Sequence, residues 1–264
     1  MLKIYLTKLK WIYRNFRQIS FSKKLVPINS VTVGNHFLGP ITYNTDSLVT
    51  SNNCDFIKEP RFASAYSKAS ETKPWKNFTL HWRVYNVCWF ANHVKTLEGD
   101  FVECGVNTGA YARAIIDYIG FSSLDKKFYL FDTFEGLDPK QISEEEAKAG
   151  INRYLGNYKD VYHQVLDTFK HFNVKVVKGR VPDTLGEFDG NKICYLSIDM
   201  NVTEPEIAAI NFFWDKIVSG GVIMLDDYGF PPHINQKLAF DEFAKNKGIP
   251  ILTMPTGQGI IIKD

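Results

Sequence analysis

The sequence has no long apolar run. Its longest uncharged stretch, residues 25–45, carries Pro, Asn, Ser, Thr, Gly and His and is too polar to span a bilayer. The four cysteines, Cys54, Cys88, Cys104 and Cys194, contain no Cys-x-x-Cys pair. That spacing argues against zinc ribbons and thioredoxin-type centres, and the thiols read as reduced and mostly buried in a cytoplasmic protein. Internal repeats and low-complexity tracts are missing, which excludes solenoids and arrays. The N-terminus lacks a clean apolar core with a small-residue cleavage site, so no secretory signal is read there. Acids are missing from the first 45 residues, which carry Lys3, Lys8, Lys10, Arg14, Arg17, Lys23 and Lys24. With a net charge of +2 overall, the rest of the chain carries −5 and offers no obvious surface to nucleic acid.

What is present suits one large α/β domain. The 264 residues are 45% hydrophobic, enough to bury a full core without disulfides. Residues 1–20 set Leu2, Leu6, Leu9, Ile12, Tyr13 and Phe16 near helical spacing with cations between them, which predicts an amphipathic helix. Residues 22–74 read as an irregular approach segment, so 1–74 is taken as a basic arm with its approach and 75–264 as the main domain. Residues 76–97 fit a buried, aromatic-rich helix. From residue 100 short apolar runs alternate with helical patterns: DFVECG, KFYLFD, VKVVKG, ICYLSID, GGVIMLDD, IPILTM and GIIIK, with helices expected over 109–119, 159–172, 204–218 and 233–247. This alternation predicts a doubly wound, mostly parallel, seven-stranded sheet. The last two runs are joined only by Pro255, Thr256 and Gly257, too short for a crossover, so an antiparallel terminal strand is expected. Such a Rossmann-like sheet is characteristic of class I methyltransferases and not of dinucleotide-binding domains.

Four strand ends carry chemistry. In GDFVECGVNTGAYARAI a strand runs into a turn with Gly105, Asn107 and Gly109 that opens a helix. The G-x-G-x-x-G of pyrophosphate binders is absent, and Glu103 sits in the strand end. An acid there suits a cationic ligand such as S-adenosylmethionine and suits a diphosphate poorly. In FYLFDTFEGL the strand ends in Asp132, whose two oxygens could take the hydroxyls of a ribose. In KVVKGRVPDTL, Gly179 and Arg180 fall where an adenine would lie. Asp199 in YLSIDMN and Asp226 and Asp227 in VIMLDDYG end neighbouring strands, so three carboxylates converge on one rim. Hard oxygen ligands in that number select Mg²⁺ or Ca²⁺.

Taken in order, GDFVECGVNTG, FDTFEGL, KGRVPDTL, SIDMN, GGVIMLDDYG and MPTGQGIIIK resemble the macrocin O-methyltransferase family over roughly residues 75–264. The resemblance implies a class I S-adenosylmethionine-dependent O-methyltransferase that uses a divalent metal, usually Mg²⁺, and methylates a hydroxyl of a sugar or glycosylated metabolite. It implies that Glu103, Gly105, Asn107, Gly109 and Asp132 hold the methyl donor. Asp199, Asp226 and Asp227 would hold the metal, with Asp199 also the candidate base. It further implies a homodimer. The chain departs from the family at Asn201 and Thr203, where many members carry an acid and an aromatic residue.

Two rival readings are a nicotinamide-dependent dehydrogenase and a methyltransferase-fold scaffold without turnover. The missing phosphate-binding glycines and the lack of a Tyr-x-x-x-Lys pair weigh against the first, and the intact acidic trio against the second. His81 and His233 are weaker candidates for the base. For residues 1–24 three readings stay open: docking on the protein or a dimer partner, peripheral contact with an anionic membrane, and a solvated tail.

Overall fold

The structure, a computed structural model, describes residues 40–75, 78–156 and 160–264. The expectations for residues 1–24 lie outside them. The chain divides into two compact units, Met1–Cys54 and Asp55–Asp264. In the first, β1 (Tyr43–Thr45) and β2 (Leu48–Thr50) form an antiparallel hairpin. Its two-residue turn, Asp46 and Ser47, is left-handed at both positions, which matches the twist of paired strands.

The second unit holds the sheet. Its strands are β3 (Asp100–Cys104), β4 (Phe128–Asp132), β5 (Val174–Lys178), β6 (Ile193–Ile198), β7 (Ile217–Leu225), β8 (Leu252–Thr253) and β9 (Gly259–Ile262). They lie in the order β5-β4-β3-β6-β7-β9-β8. All neighbours from β5 to β7 are parallel, and β9 runs antiparallel to both β7 and β8. The expected seven-stranded, mostly parallel sheet with an antiparallel final strand is therefore what forms. The central strands read as continuous apolar runs because both faces are covered. One face, with Phe101, Tyr195, Val222 and Met224, packs under α1 (Pro60–Glu71), α2 (His81–Val94) and α3 (Ala110–Ile119). The other, with Val102, Cys104, Leu196, Ile198 and Leu225, packs under α6 (Thr203–Phe213) and α7 (Ile234–Lys247). Between β4 and β5 lie two shorter helices, α4 (Glu144–Ala149) and α5 (Tyr162–Phe169).

One expectation fails. The stretch 22–74 is not irregular throughout, because Pro60–Glu71 forms α1. Glu59 caps it, its carboxylate accepting from the Arg61 and Phe62 N–H groups, and Pro60 fills the first helical position. Phe62, Ala65 and Ala69 are buried. Only three core residues, two of them alanine, give too faint an apolar stripe to stand out among serine, lysine and glutamate.

The topology decides where a ligand can go. From β3 the chain moves outward through β4 to β5, then returns to β6 on the other side of β3 and moves outward again. At that reversal the connections leave β3 and β6 in opposite directions, opening a crevice beyond their carboxyl ends. The backbone ladder continues one step past the strands. Gly179 N–H donates to Asp132 O, Gly105 N–H to Phe131 O, Asp199 N–H to Cys104 O, and Asp226 N–H to Ile198 O. These bonds set Gly179, Asp132, Gly105, Asp199 and Asp226 in one row along the rim. Among the described residues no helix is long and apolar enough to cross a membrane.

Candidate active site

A cavity of about 310 Å³ opens over that row. Glu103, Gly105, Asn107, Asp132, Gly179, Asp199, Asp226 and Asp227 all line it, so eight of the ten residues read from the sequence as donor or metal ligands come together.

The half of the cavity at β3 and β4 is shaped by backbone. Gly105 has φ +89°, and a Cβ there would stand 1.8 Å from the Asp199 carbonyl oxygen, so the strand end and the Asp199 loop meet with room for hydrogen alone. Gly109, at φ +84°, begins α3, and a Cβ on it would strike the Phe169 ring at 2.5 Å. Gly109 does not line the cavity; its part is to let α5 close on the turn. Asp132 braces the turn from the next strand. Its Oδ2 accepts from the N–H groups of Val106 (2.6 Å) and Asn107 (2.8 Å), and its Oδ1 from Phe134 N–H (2.6 Å). A ribose would have to share oxygens that already hold the turn. Glu103 is 1% exposed, and its Oε2 is buried without a hydrogen-bond partner. Burial, then the charges of Asp132 and Asp226, push its carboxyl well above the usual carboxylate range.

Arg180 is a correction. It lies outside the cavity lining, because its guanidinium is held by Asp183 (2.6 Å) and Asp138 (3.2 Å). It pairs with Asp138, which does line the cavity.

The acidic half is shaped by side chains. One oxygen from each of Asp199, Asp226 and Asp227 lies within 4.8 Å of the others. Burial and then the Asp226 and Asp227 charges push the Asp199 carboxyl well above its usual range, while Arg83 pulls the other way. Three carboxylates crowded this closely fit a divalent cation, which would relieve their mutual repulsion. Asp226 is the most constrained of the three. Its Oδ1 accepts from Tyr111 OH (3.0 Å) and Gln258 Nε2 (2.9 Å), and its Oδ2 from Arg83 Nη1 (2.5 Å). Gln258 is held in turn by Asn86 Nδ2, which donates to Gln258 Oε1 at 2.8 Å.

Glu206 organises the loop that carries Asp199. Its Oε1 accepts from the N–H groups of Met200 (2.9 Å) and Asn201 (3.0 Å). Burial and then Asp227 raise its carboxyl to about 8. Neither candidate histidine lines the cavity. His81 stacks on Tyr66 at 4.1 Å, and His233 sits behind Asp227, with Nδ1 3.6 Å from Asp227 Oδ2 and bonded to Gln236.

Sequence reasoning missed Arg83, Tyr111, Gln258 and Glu206. Gln258 alone left a signal, an amide in the turn of the final hairpin that is 0% exposed in the fold.

The family model described as macrocin-O-methyltransferase (TylF) matches residues 57–254. Among solved structures the chain is similar to the O-methyltransferase NovP, with a TM-score of 0.60 and 20% identity over 69% of this chain and 79% of that one. It is also similar to the calicheamicin methyltransferase CalS11, at 0.56 and 16% over 77% and 93%. The SAH-bound methyltransferase PaMTH1 of Podospora anserina scores 0.51 at 14% identity, over 78% and 88%. At such identities these likenesses establish the fold. No curated protein matches the sequence.

Proposed function

Since the chain belongs to the macrocin O-methyltransferase family, and is with it an S-adenosylmethionine-dependent O-methyltransferase, we propose that it methylates a hydroxyl of a sugar or glycosylated small molecule at a divalent-ion site made by Asp199, Asp226 and Asp227. The convergence of these three carboxylates beside the glycine turn is the observation that carries this reading. A second feature favours a carbohydrate. Trp75, 48% exposed, stands at the cavity edge in an edge-to-face contact with Phe78, their rings 5.1 Å and 72° apart, and offers exposed aromatic surface on which a sugar could pack.

In the mechanism, Glu103 would face the ammonium of the donor, and the turn around Gly105 and Asn107 would let its amino-acid end approach the backbone. Gly179 and Asp132 would hold its nucleoside. A divalent ion held by the trio would supply Lewis acidity and a template for the acceptor. The acceptor oxygen attacks the methyl carbon as the carbon–sulfur bond breaks, its proton passes to Asp199, and the sulfonium leaves as the neutral thioether of S-adenosylhomocysteine. Holding oxygen and methyl in line accounts for much of the rate, because the bimolecular encounter is already made.

Isotope-labelled S-adenosylmethionine with a panel of neutral glycosides tests the reading. Label should enter a glycoside hydroxyl, and a chelator should stop it while S-adenosylhomocysteine still binds. Turnover that survives exhaustive chelation would leave the trio without its ion, and labelling confined to sugar-free acceptors would overturn the sugar class. The basic N-terminal arm, the dimer and membrane contact through residues 1–24 stand as further proposals, tested by deleting 1–24 and measuring oligomeric state and sedimentation with anionic vesicles.

A further inference from the structure

Arg83 sits where a helix disfavours it. It is the third residue of α2, in a first turn with no acid, at the end whose unpaired N–H groups already carry partial positive charge. Its side chain is only 14% exposed. What holds it is the acidic site: Nη1 lies 2.5 Å from Asp226 Oδ2, and the guanidinium rests 5.2 Å from the centre of the Phe230 ring. Arg83 lines the same cavity as the trio.

The bond falls on the oxygen that an ion would need and takes one of its two lone pairs. Asp226 Oδ1 already accepts from Tyr111 and Gln258, which exhausts its two lone pairs. Only Oδ2 has capacity left, and it is the oxygen Arg83 holds. A cation approaching Asp226 therefore meets a fixed guanidinium on the same atom.

We propose that Arg83 is a resident counter-cation of the acidic trio, which holds Asp226 in place and weakens divalent-ion binding by competing for Asp226 Oδ2. The proposal rests on the divalent-ion reading above. It makes the ion a loosely held, exchangeable partner, not a permanent structural one. The same pair sets a positive charge against the buried member of the trio, Asp226, which is 3% exposed.

Mn²⁺ titration of the full chain saturated with S-adenosylhomocysteine tests it, read as free Mn²⁺ by electron paramagnetic resonance, beside a thermal melt. Arg83→Met should bind Mn²⁺ about tenfold more tightly than the wild type, since a like charge beside the ion is removed. Arg83→Gln should do the same and serves if the methionine variant fails to fold. Arg83→Lys, which keeps the charge, should stay within about threefold of the wild type. Equal or weaker Mn²⁺ binding by folded Arg83→Met or Arg83→Gln overturns the competition while leaving the ion reading intact. No Mn²⁺ binding by the wild type or either neutral variant overturns the ion reading and the proposal with it.

Discussion

At the β3 and β4 end of the rim the pocket is shaped by backbone: Gly105 and Asn107 take left-handed conformations, and Asp132 spends its oxygens on the N–H groups of the turn. At the β6 and β7 end it is shaped by charge: Asp199, Asp226 and Asp227 crowd together, and Arg83, Tyr111 and Gln258 hold one of them still. The first end is rigid because no side chain larger than hydrogen fits. The second is held by opposed charges, and crowding there keeps the Asp199 carboxyl well above its usual range. A donor that is the same in every turnover suits the first kind of construction. A step that must take up a proton suits the second.

The two halves meet most tightly at Gly105, and breaking that contact should produce the largest effect. Gly105→Ala would drive a methyl group into the Asp199 carbonyl oxygen, at a φ that L-residues avoid. We expect a stability loss above about 3 kcal/mol and loss of both donor binding and turnover. Wild-type S-adenosylhomocysteine affinity in that variant, measured by calorimetry, would show that the halves are independent.

Asp199→Asn separates them. Turnover should fall about 10²–10⁴-fold, the usual range for a general base, while S-adenosylhomocysteine affinity stays near wild type. A parallel loss of donor binding would place Asp199 in the first half instead of the second.

Glu206 sharpens the view of the acidic half as responsive. Its carboxyl is raised in the fold from about 4.5 to about 8. A raised carboxyl stabilises the fold fully below the unfolded value, and that stabilisation is lost as pH climbs through the folded one. Between pH 4.5 and 8 the wild type should therefore lose stability by roughly 2–4 kcal/mol on this account. Glu206→Gln keeps the acceptor oxygen for Met200 and Asn201 and should melt higher than the wild type at pH 8 in chelator, with little difference at pH 5. Parallel melting curves across that range would remove the burial argument.

The same contrast governs what could be read in advance. Glycines and strand-ending acids are visible in one dimension because each marks a local constraint: Gly105 a turn, Asp132 and Asp199 the ends of apolar runs. The partners of the acidic half are visible only in three dimensions. Arg83 meets Asp226 from 143 residues away, and Asn86 meets Gln258 from 172. In the sequence Arg83 is one cation in an aromatic helix, with nothing local to tell it from a solvated charge. Arg180 shows the opposite error: its place at a strand end suggested a ligand contact, but the nearby Asp183 and Asp138 take up its guanidinium.

The smallest expected effect concerns Glu103, which lies in the rigid half yet has the responsive character of the other. Its carboxyl is buried, one oxygen has no partner, and burial with the fields of Asp132 and Asp226 keeps its proton bound well above the usual pH. An ammonium brought against it would favour the carboxylate, so donor binding should expel that proton. Calorimetry of S-adenosylhomocysteine binding at one pH, in buffers of different ionisation enthalpy, should show a release of up to about one proton per site. Glu103→Gln should abolish that dependence and weaken binding by about 1.5–3 kcal/mol, the scale of a hydrogen bond to a charged group. The same titration with Asp199→Asn should keep the proton release, which assigns the proton to Glu103 and not to the trio. A binding enthalpy that is independent of buffer in the wild type would mean that Glu103 is already ionised or never meets the ammonium. The donor half would then be backbone and glycine alone, and the contrast between the two ends of the rim would be complete.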